Sequence, residues 1–420
     1  MIPRFDPPFS ATDVLLSLTP YGGDPLVRFE ETFAKAVGHR YAVAFPYGRT
    51  ALLALLRALD LTGRDVLCPA YTCVVVPNAI IASGNRPIFV DSQADANADL
   101  SLAAVRAGAS ANAGALIATS IFGHPVDLGG LEAFRRSNPN LTVIQDCAHS
   151  FLCEWQGRPV HLEGDAAFFG LNVSKTMSSV FGGMASCDDA RLAARLRDVR
   201  AGMLSRPGLG KMLARAAYAA AVLVAFQPAV FGLTNRLRSA GLLDHFTRYY
   251  DGERIDMPVD HLVGLTGFEA RVGMRCATAL PGLIASRRAY DNYYREALGG
   301  DVRLAWVERS AGSSVSHCVA RVARKGQVRT TAARLGVELG EVIEYSVPDL
   351  PVYRARLSPH EAFPVAGAFA ESTINLPTST RFERAKAERV VRVVREALEG
   401  EPPVPQLPQP IQVMPGLSSG

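Results

Sequence analysis

Ala115-Leu-Ile-Ala-Thr-Ser-Ile121, Leu131-Glu-Ala-Phe-Arg-Arg136 and Thr142-Val-Ile-Gln-Asp146 follow one another in the chain. The outer two are continuous apolar runs, and the middle one has the composition of a helix. Continuous rather than alternating hydrophobicity predicts strands buried on both faces, and a helix between two such strands predicts a parallel pair. The pattern extends toward the N-terminus. Strands are expected at Tyr41–Phe45, Val66–Pro69 and Pro87–Asp91, alternating with helices over Leu26–Val37, Ala51–Leu61 and Val74–Ser83. Strands alternating with helices over the first 190 residues or so imply an α/β fold, a mostly parallel sheet covered on both faces.

The rest of the chain reads differently. Residues 1–25 are turn-rich and suggest no element. Beyond Ala285, a helix carrying Arg287, Arg288, Tyr293 and Tyr294 leads to a strand at His317–Val322, a helix over Val328–Leu335 and a closing helix over Arg384–Leu398. These predict a smaller α+β domain. The expected division is a large domain over 1–260, a small one over 261–400, and a proline-rich, extended tail over 401–420.

Of the 420 residues, 48% are hydrophobic and 20% charged, which excludes general disorder. The formal charge of +4, without blocks of like charge, gives no reason to expect nucleic acid as a partner. Seven cysteines (68, 73, 147, 153, 187, 276 and 318) are scattered and never spaced C-x-x-C, so neither a disulfide framework nor a metal site is expected. The N-terminus lacks the pattern of a secretory signal, and a reducing, cytoplasmic setting is the expectation.

Ala216–Thr234 contains no charged residue and is flanked by Lys211, Arg215, Arg236 and Arg238. Three readings are open: a pair of buried or dimer-interface helices broken near Gln227-Pro228, a segment lying on a membrane surface, or a transmembrane span.

Three segments carry candidate chemistry. Asp146 ends an apolar strand, where ligands of open parallel sheets bind, and suits a protonated ring nitrogen; a helix cap or loop ion pair is the plainer reading. Lys175 follows Gly164-Asp-Ala-Ala-Phe-Phe-Gly170-Leu-Asn172-Val-Ser174, and partial burial of such a lysine would favour the neutral amine that imine formation needs, although most lysines are simply solvated. Gly48, Arg49 and Thr50 open a helix, whose free N–H groups suit a phosphate; an ordinary capped turn is the alternative.

Together these segments resemble the DegT/DnrJ/EryC1/StrS family of pyridoxal-phosphate-dependent sugar aminotransferases, of the aspartate-aminotransferase-like type I fold. Tyr47-Gly-Arg-Thr-Ala-Leu52 is similar to the family's S-G-T-x-A-L, and Gly63-Arg-Asp-Val-Leu-Cys-Pro69 to its G-D-E-V-I-x-P. Gly84-Asn-Arg-Pro-Ile-Phe-Val-Asp91, Phe122-Gly-His-Pro-Val-Asp127, Asp146-Cys-Ala-His149, Trp155-Gln-Gly-Arg158 and Ile374-Asn-Leu-Pro377 follow in the family's order. The match runs from about Val37 to Leu398, poorest between roughly Met203 and Ala285, inside which lies a divergent apolar helical segment at about 203–245.

The resemblance implies pyridoxal 5′-phosphate (PLP) as cofactor and a homodimer as the assembly. It implies that Lys175 forms the Schiff base and carries the proton, that Asp146 pairs with the pyridine nitrogen, and that His149 sits at the phenolic oxygen. Gly48, Arg49 and Thr50 would hold the phosphate. The expected reaction moves nitrogen from an amino donor, glutamate above all, to a nucleotide-linked keto sugar.

Several positions depart from the family. Cys73 stands where an aromatic ring would stack on the cofactor, leaving Tyr71 as the candidate replacement. Gly170 stands where a phosphate-binding serine is usual, with Ser174 or Arg49 as candidates to compensate. Asn172 and Tyr345 occupy acceptor-side positions. The N-Y-R-M segment through which a partner subunit reaches the phosphate is replaced by Leu265-Thr-Gly-Phe-Glu-Ala-Arg271. Two alternatives to transamination therefore stand beside it: a PLP-dependent elimination of the dehydratase type, and an idle PLP-fold subunit associated with membranes.

Overall fold

A computed structural model describes residues 1–19, 22–94, 98, 99, 101, 102, 105, 110–243, 250–358 and 361–409. The large sheet is built from β1 (Tyr41–Phe45), β2 (Asp65–Pro69), β3 (Arg86–Val90), β4 (Ala113–Thr119), β5 (Thr142–Asp146), β8 (Ala166–Gly170) and β9 (Gly183–Cys187). Its order is β1-β9-β8-β5-β4-β2-β3, and only β9 runs against its neighbours. A two-stranded ribbon, β6 (Glu154–Trp155) with β7 (Arg158–Pro159), lies between β5 and β8 in sequence.

The continuous apolar runs behave as expected of strands covered on both faces. Along β4, Ala115 and Ile117 join one buried cluster, while Leu116 and Ala118 join the other. The helices that cover these faces include α2 (Pro25–Val37), α3 (Gly48–Ala58), α4 (Val75–Ala82), α5 (Leu128–Ser137) and α6 (Ala190–Met203). Asp24, Asp127 and Asp189 each cap their helix through a side-chain carboxylate accepting backbone N–H groups.

Residues 1–25 are less irregular than expected. Ala11–Leu18 is helix α1, begun by a reciprocal capping box between Ser10 and Asp13. Ile2 pairs with Val337 and enters the small domain's core.

The apolar segment folds as α7 (Leu209–Ala225) and α8 (Pro228–Ser239), broken where Pro228 begins the second helix. The two are bent by 107°, and among the described residues no single helix is long and apolar enough to cross a membrane. Among the described residues of this pair only Ala219, Val222 and Phe231 are buried, so the pair is not a core element.

Helix α9 (Gly267–Leu298) starts well before Ala285, from a capping box between Thr266 and Glu269. Its first half packs Phe268, Val272 and Leu280 into the large domain's core, and its second half sends Tyr290, Tyr294 and Leu298 into a separate cluster. That cluster surrounds β10 (Ala305–Trp306), β11 (Cys318–Arg321) and β12 (Thr373–Leu376), an antiparallel sheet with helices α10 (Lys325–Arg334) and α13 (Arg384–Ala397) against it. Short α11 (Pro351–Arg354) and α12 (Pro364–Ser372) lie between α10 and α13 in sequence, and their Tyr353, Val365, Ala366 and Phe369 join the buried cluster that holds Ala115 and Ile117 of the large sheet. Asp91, at the end of β3, accepts the N–H groups of Val365 and Ala366 and so ties the start of α12 to the large sheet.

The tail over 401–409 is docked rather than free. Val404 N–H donates to Val302 O at 3.0 Å, Pro405 O accepts from the Arg321 guanidinium at 2.8 Å, and Glu401 is buried. Residues 410–420 lie outside the described part. All seven cysteines are free.

Candidate active site

The parallel strands of the large sheet end together, and the turns leaving them line a common edge. β5 ends in Asp146, β8 in Gly170, β1 leads into Tyr47-Gly48, β2 into the Tyr71–Cys73 turn and β4 into Phe122.

Asp146 is buried, and one carboxylate oxygen accepts the Ala148 N–H at 3.0 Å. Burial pushes its carboxyl up to about 6, opposed by that hydrogen bond and by the field of Lys175. Lys175 hangs from a loop in which its N–H donates to Asn172 O, and its chain crosses Gly170. Enclosure of the amine pulls the lysine below the ordinary range, with the fields of Cys73 and Asp146 resisting. The two groups of opposite charge thus face a shared, desolvated space.

His149 closes one side of this space. Its ring lies nearly parallel to Phe122, with centroids 6.5 Å apart, and Nδ1 accepts the Phe122 N–H at 3.4 Å. Burial, reinforced by Lys175, holds the imidazole well below its ordinary range, hence neutral. His317 meets it edge-on at 5.0 Å and is depressed for the same reason, with Arg287 and Lys175 contributing.

His317 was not singled out by sequence reasoning. It sits at the start of β11 in the small domain, and only the tertiary fold brings it to His149. The junction is a left-handed turn: Phe122 has φ 59° and Gly123 φ 82°. Gly123 O accepts the Ser314 N–H and Phe122 O the Ser316 N–H, at 2.8 and 2.9 Å. A Cβ on Gly123 would stand 2.6 Å from Ser316 N, so only glycine permits this approach.

The start of α3 forms another side. Tyr47 gives it no side-chain cap, and the first intrahelical donor is Ala51, leaving the N–H groups of Gly48, Arg49 and Thr50 at the helix's positive end. Gly183 packs against this turn; a Cβ there would stand 2.4 Å from Gly48 N. Gly170 differs, since a Cβ would meet Ala148 and Lys175 at an ordinary 3.6 Å. No steric reason therefore demands glycine where the resembling family has serine.

The remaining candidates are engaged elsewhere. Arg49 donates to Asp256 O at 3.4 Å and Thr50 to His261 O at 3.3 Å, so both side chains tie down the 256–261 loop while their backbone faces the site. Tyr71 stacks on Phe369 and bonds Ile343 O and Thr373 Oγ1. Ser174 Oγ donates to Asn172 Oδ1 at 2.7 Å in a local turn, with Asn172 exposed. The Tyr345 hydroxyl takes the Val74 N–H, and its ring packs edge-on against Tyr250. Of the departures, Cys73 and Gly170 lie beside the lysine.

Tyr47 donates to Asp260 at 2.6 Å and accepts from Arg215 at 2.7 Å, while Lys211 and Arg215 both pair with Asp260. The two cations on the N-terminal side of the apolar segment are thereby directed inward, Arg215 onto Tyr47 itself and Lys211 onto its partner Asp260.

A sequence profile of the DegT/DnrJ/EryC1/StrS aminotransferase family matches residues 10–395. The GDP-perosamine synthase of Escherichia coli O157:H7 is 32% identical over 171 residues, which are 40% of this chain and 46% of that protein. The UDP-N-acetyl-3-dehydro-alpha-D-glucosamine 3-aminotransferase of Acidithiobacillus ferrooxidans is 31% identical over 173 residues, 41% of this chain and 46% of its own. The matched stretch thus spans about half the length of these curated relatives. Among solved structures, S. venezuelae DesV superposes with a TM-score of 0.71 at 22% identity, covering 92% of this chain and 94% of that one, a likeness of fold.

Proposed function

The chain belongs to the DegT/DnrJ/EryC1/StrS aminotransferase family, and on that premise we propose that it moves an amino group from an amino acid, glutamate in the first instance, to a keto sugar. The sugar is carried on a nucleotide, and the product feeds polysaccharide or secondary-metabolite synthesis. The protein acts in the cytoplasm as a homodimer. Relatives named for GDP- and UDP-sugars support the acceptor class. The observation that carries the reading is the enclosed Lys175 amine opposite a buried Asp146 carboxyl at the carboxyl edge of the sheet.

The residues present fit the cofactor the family implies, pyridoxal 5′-phosphate. An uncapped helix start suits its phosphate, a buried carboxyl suits its ring nitrogen, and a desolvated amine suits its aldehyde. Gly48, Arg49 and Thr50 would hold the phosphate through backbone N–H groups, with Asp146 at the nitrogen, His149 at the phenolic side and Lys175 as the attachment point. Bound there, PLP supplies an electron sink for charge developing on the substrate's Cα.

The protein's own part follows from its electrostatics. Asp146, ionised at neutral pH despite its raised carboxyl, would hold a proton on a ring nitrogen placed against it. Lys175 would take the Cα proton, a task suited to an amine that burial inclines toward neutrality. His149, whose Nδ1 already accepts from Phe122, carries its own proton on Nε2 and orients by donating it.

Nitrogen transfer tests the reading. The holoenzyme incubated with amino-labelled glutamate and a set of nucleotide-linked keto sugars should yield a labelled amino sugar and 2-oxoglutarate. Loss of water from the sugar without label would indicate the elimination reading. No turnover of glutamate or any other amino donor would contradict transamination.

A further inference from the structure

Between Asp198 and Asp244 the chain has no acidic residue but six cations: Arg200, Arg206, Lys211, Arg215, Arg236 and Arg238. The fold sorts these cations into two groups. Four turn inward onto acids of the body: Arg200 onto Glu30, Lys211 onto Asp260, Arg215 onto Asp260 and Glu269, and Arg238 onto Glu338. Arg206 and Arg236 remain solvent-exposed, one before α7 and the other on α8.

The outward face between them is apolar. Leu209 is 66% exposed, Leu213 55%, Val224 59% and Leu233 60%, and exposed Ala217 and Ala220 continue the stripe along α7 at helical spacing. The inner face is satisfied separately, with Phe226 against Phe5 and Phe231, and Phe181 against Tyr218. Three leucines and a valine at this exposure on one bent pair present apolar surface to water of the kind that marks an interaction site.

We propose that the outer face of the α7–α8 hairpin is a peripheral docking surface for anionic lipid bilayers. The hairpin lies in the headgroup plane with Leu209, Leu213, Val224 and Leu233 entering the acyl boundary, and Arg206 and Arg236 meet lipid phosphates. The 107° bend suits a hairpin lying in the interface, not one crossing the membrane. Charge decides between a membrane and a second copy of the chain. A self-contact about a two-fold axis would bring the same face together twice, arginines included, with no acid in 199–243 to pair with them. An anionic bilayer supplies the missing counter-charge. This surface is independent of the transamination reading, because none of its residues faces Lys175 or Asp146.

The test uses the full-length, PLP-loaded protein and sedimentation with phosphatidylcholine vesicles, with and without phosphatidylglycerol. The parent should pellet with the anionic vesicles and be released by high salt. The triple variant Leu213→Ser, Val224→Ser, Leu233→Ser should stay in the supernatant while keeping the parent's cofactor absorbance and melting temperature. Arg236→Gln should weaken binding about fivefold. A parent that ignores both vesicle types, or binds them equally, would overturn the proposal, as would a triple variant that still pellets. Loss of dimer mass by light scattering in the triple variant, without vesicle binding by the parent, would assign the face to a second copy and equally overturn it.

Discussion

A carboxyl enclosed at the end of a strand resists ionisation, and Asp146 shows the cost of placing one where a cofactor needs it. Its carboxyl is raised to about 6 in the fold against an ordinary 3.8, chiefly by burial. Between these values the folded protein binds the extra proton, so Asp146 favours the folded state below about pH 4, and that contribution is lost as pH rises through 6. The apoprotein of Asp146→Asn, which keeps an acceptor for Ala148 N–H, should therefore exceed the parent in stability at pH 7 by roughly 1–3 kcal/mol in thermal melts. The gap should close as pH falls toward 4, and the variant should bind PLP more weakly. Equal melting temperatures at pH 7 would mean that the carboxyl is not desolvated. Asp146 and Lys175 stood out as candidates in the sequence because one ends an apolar strand and the other follows one, while His149 was a candidate only through the family resemblance. His317 was not, because its partner His149 belongs to the other domain. Arg49 and Thr50 were legible as positions, but their side chains serve the 256–261 loop, a long-range contact that local pattern does not encode.

At the scale of elements, the turn Phe122-Gly123 fastens the small domain to the site. Gly123→Ala forces a side chain into a left-handed backbone and also against Ser316 N. Gly157 has the same φ of 82° but open space where its Cβ would go, so Gly157→Ala carries the backbone strain alone. Gly123→Ala should be the more destabilising by about 1–3 kcal/mol and should weaken PLP binding, while Gly157→Ala leaves PLP binding unchanged. Two substitutions of equal effect would show that the junction does not position His317. Five strands of the large sheet, β1 to β5, were readable to within two residues, since burial on both faces imposes a continuous apolar run, whereas antiparallel β9, Gly-Met-Ala-Ser-Cys, carries no such run and was not read as a strand. Helix α1 was missed because Leu15, Leu16 and Leu18 face solvent, leaving the Ser10–Asp13 capping box as its signal. The start of α9 was hidden by Gly273, Pro281 and Gly282, although Thr266-x-x-Glu269 is again a capping signature. The α7–α8 pair was recognised as apolar and broken at Pro228, but composition alone does not reveal which face is left uncovered.

At the scale of the molecule, one helix joins two cores and the site lies where they meet. α9 begins against the large sheet and ends among the small domain's tyrosines. Ile2 and the 401–409 segment add to the small domain from the two ends of the chain, pairings between distant residues that hydrophobic periodicity cannot predict. The large sheet supplies Asp146 and the Lys175 loop, and the small domain supplies His317. The arrangement accounts for an amine that is desolvated yet reachable, which is the requirement of the proposed chemistry. The most direct test is the absorbance spectrum of the protein with PLP, before and after glutamate, beside Lys175→Ala. A visible imine band in the parent, absent from the variant and bleached by glutamate, is the predicted result. A band that persists in Lys175→Ala, or no band in the parent, would contradict the assignment of Lys175 and the function built on it.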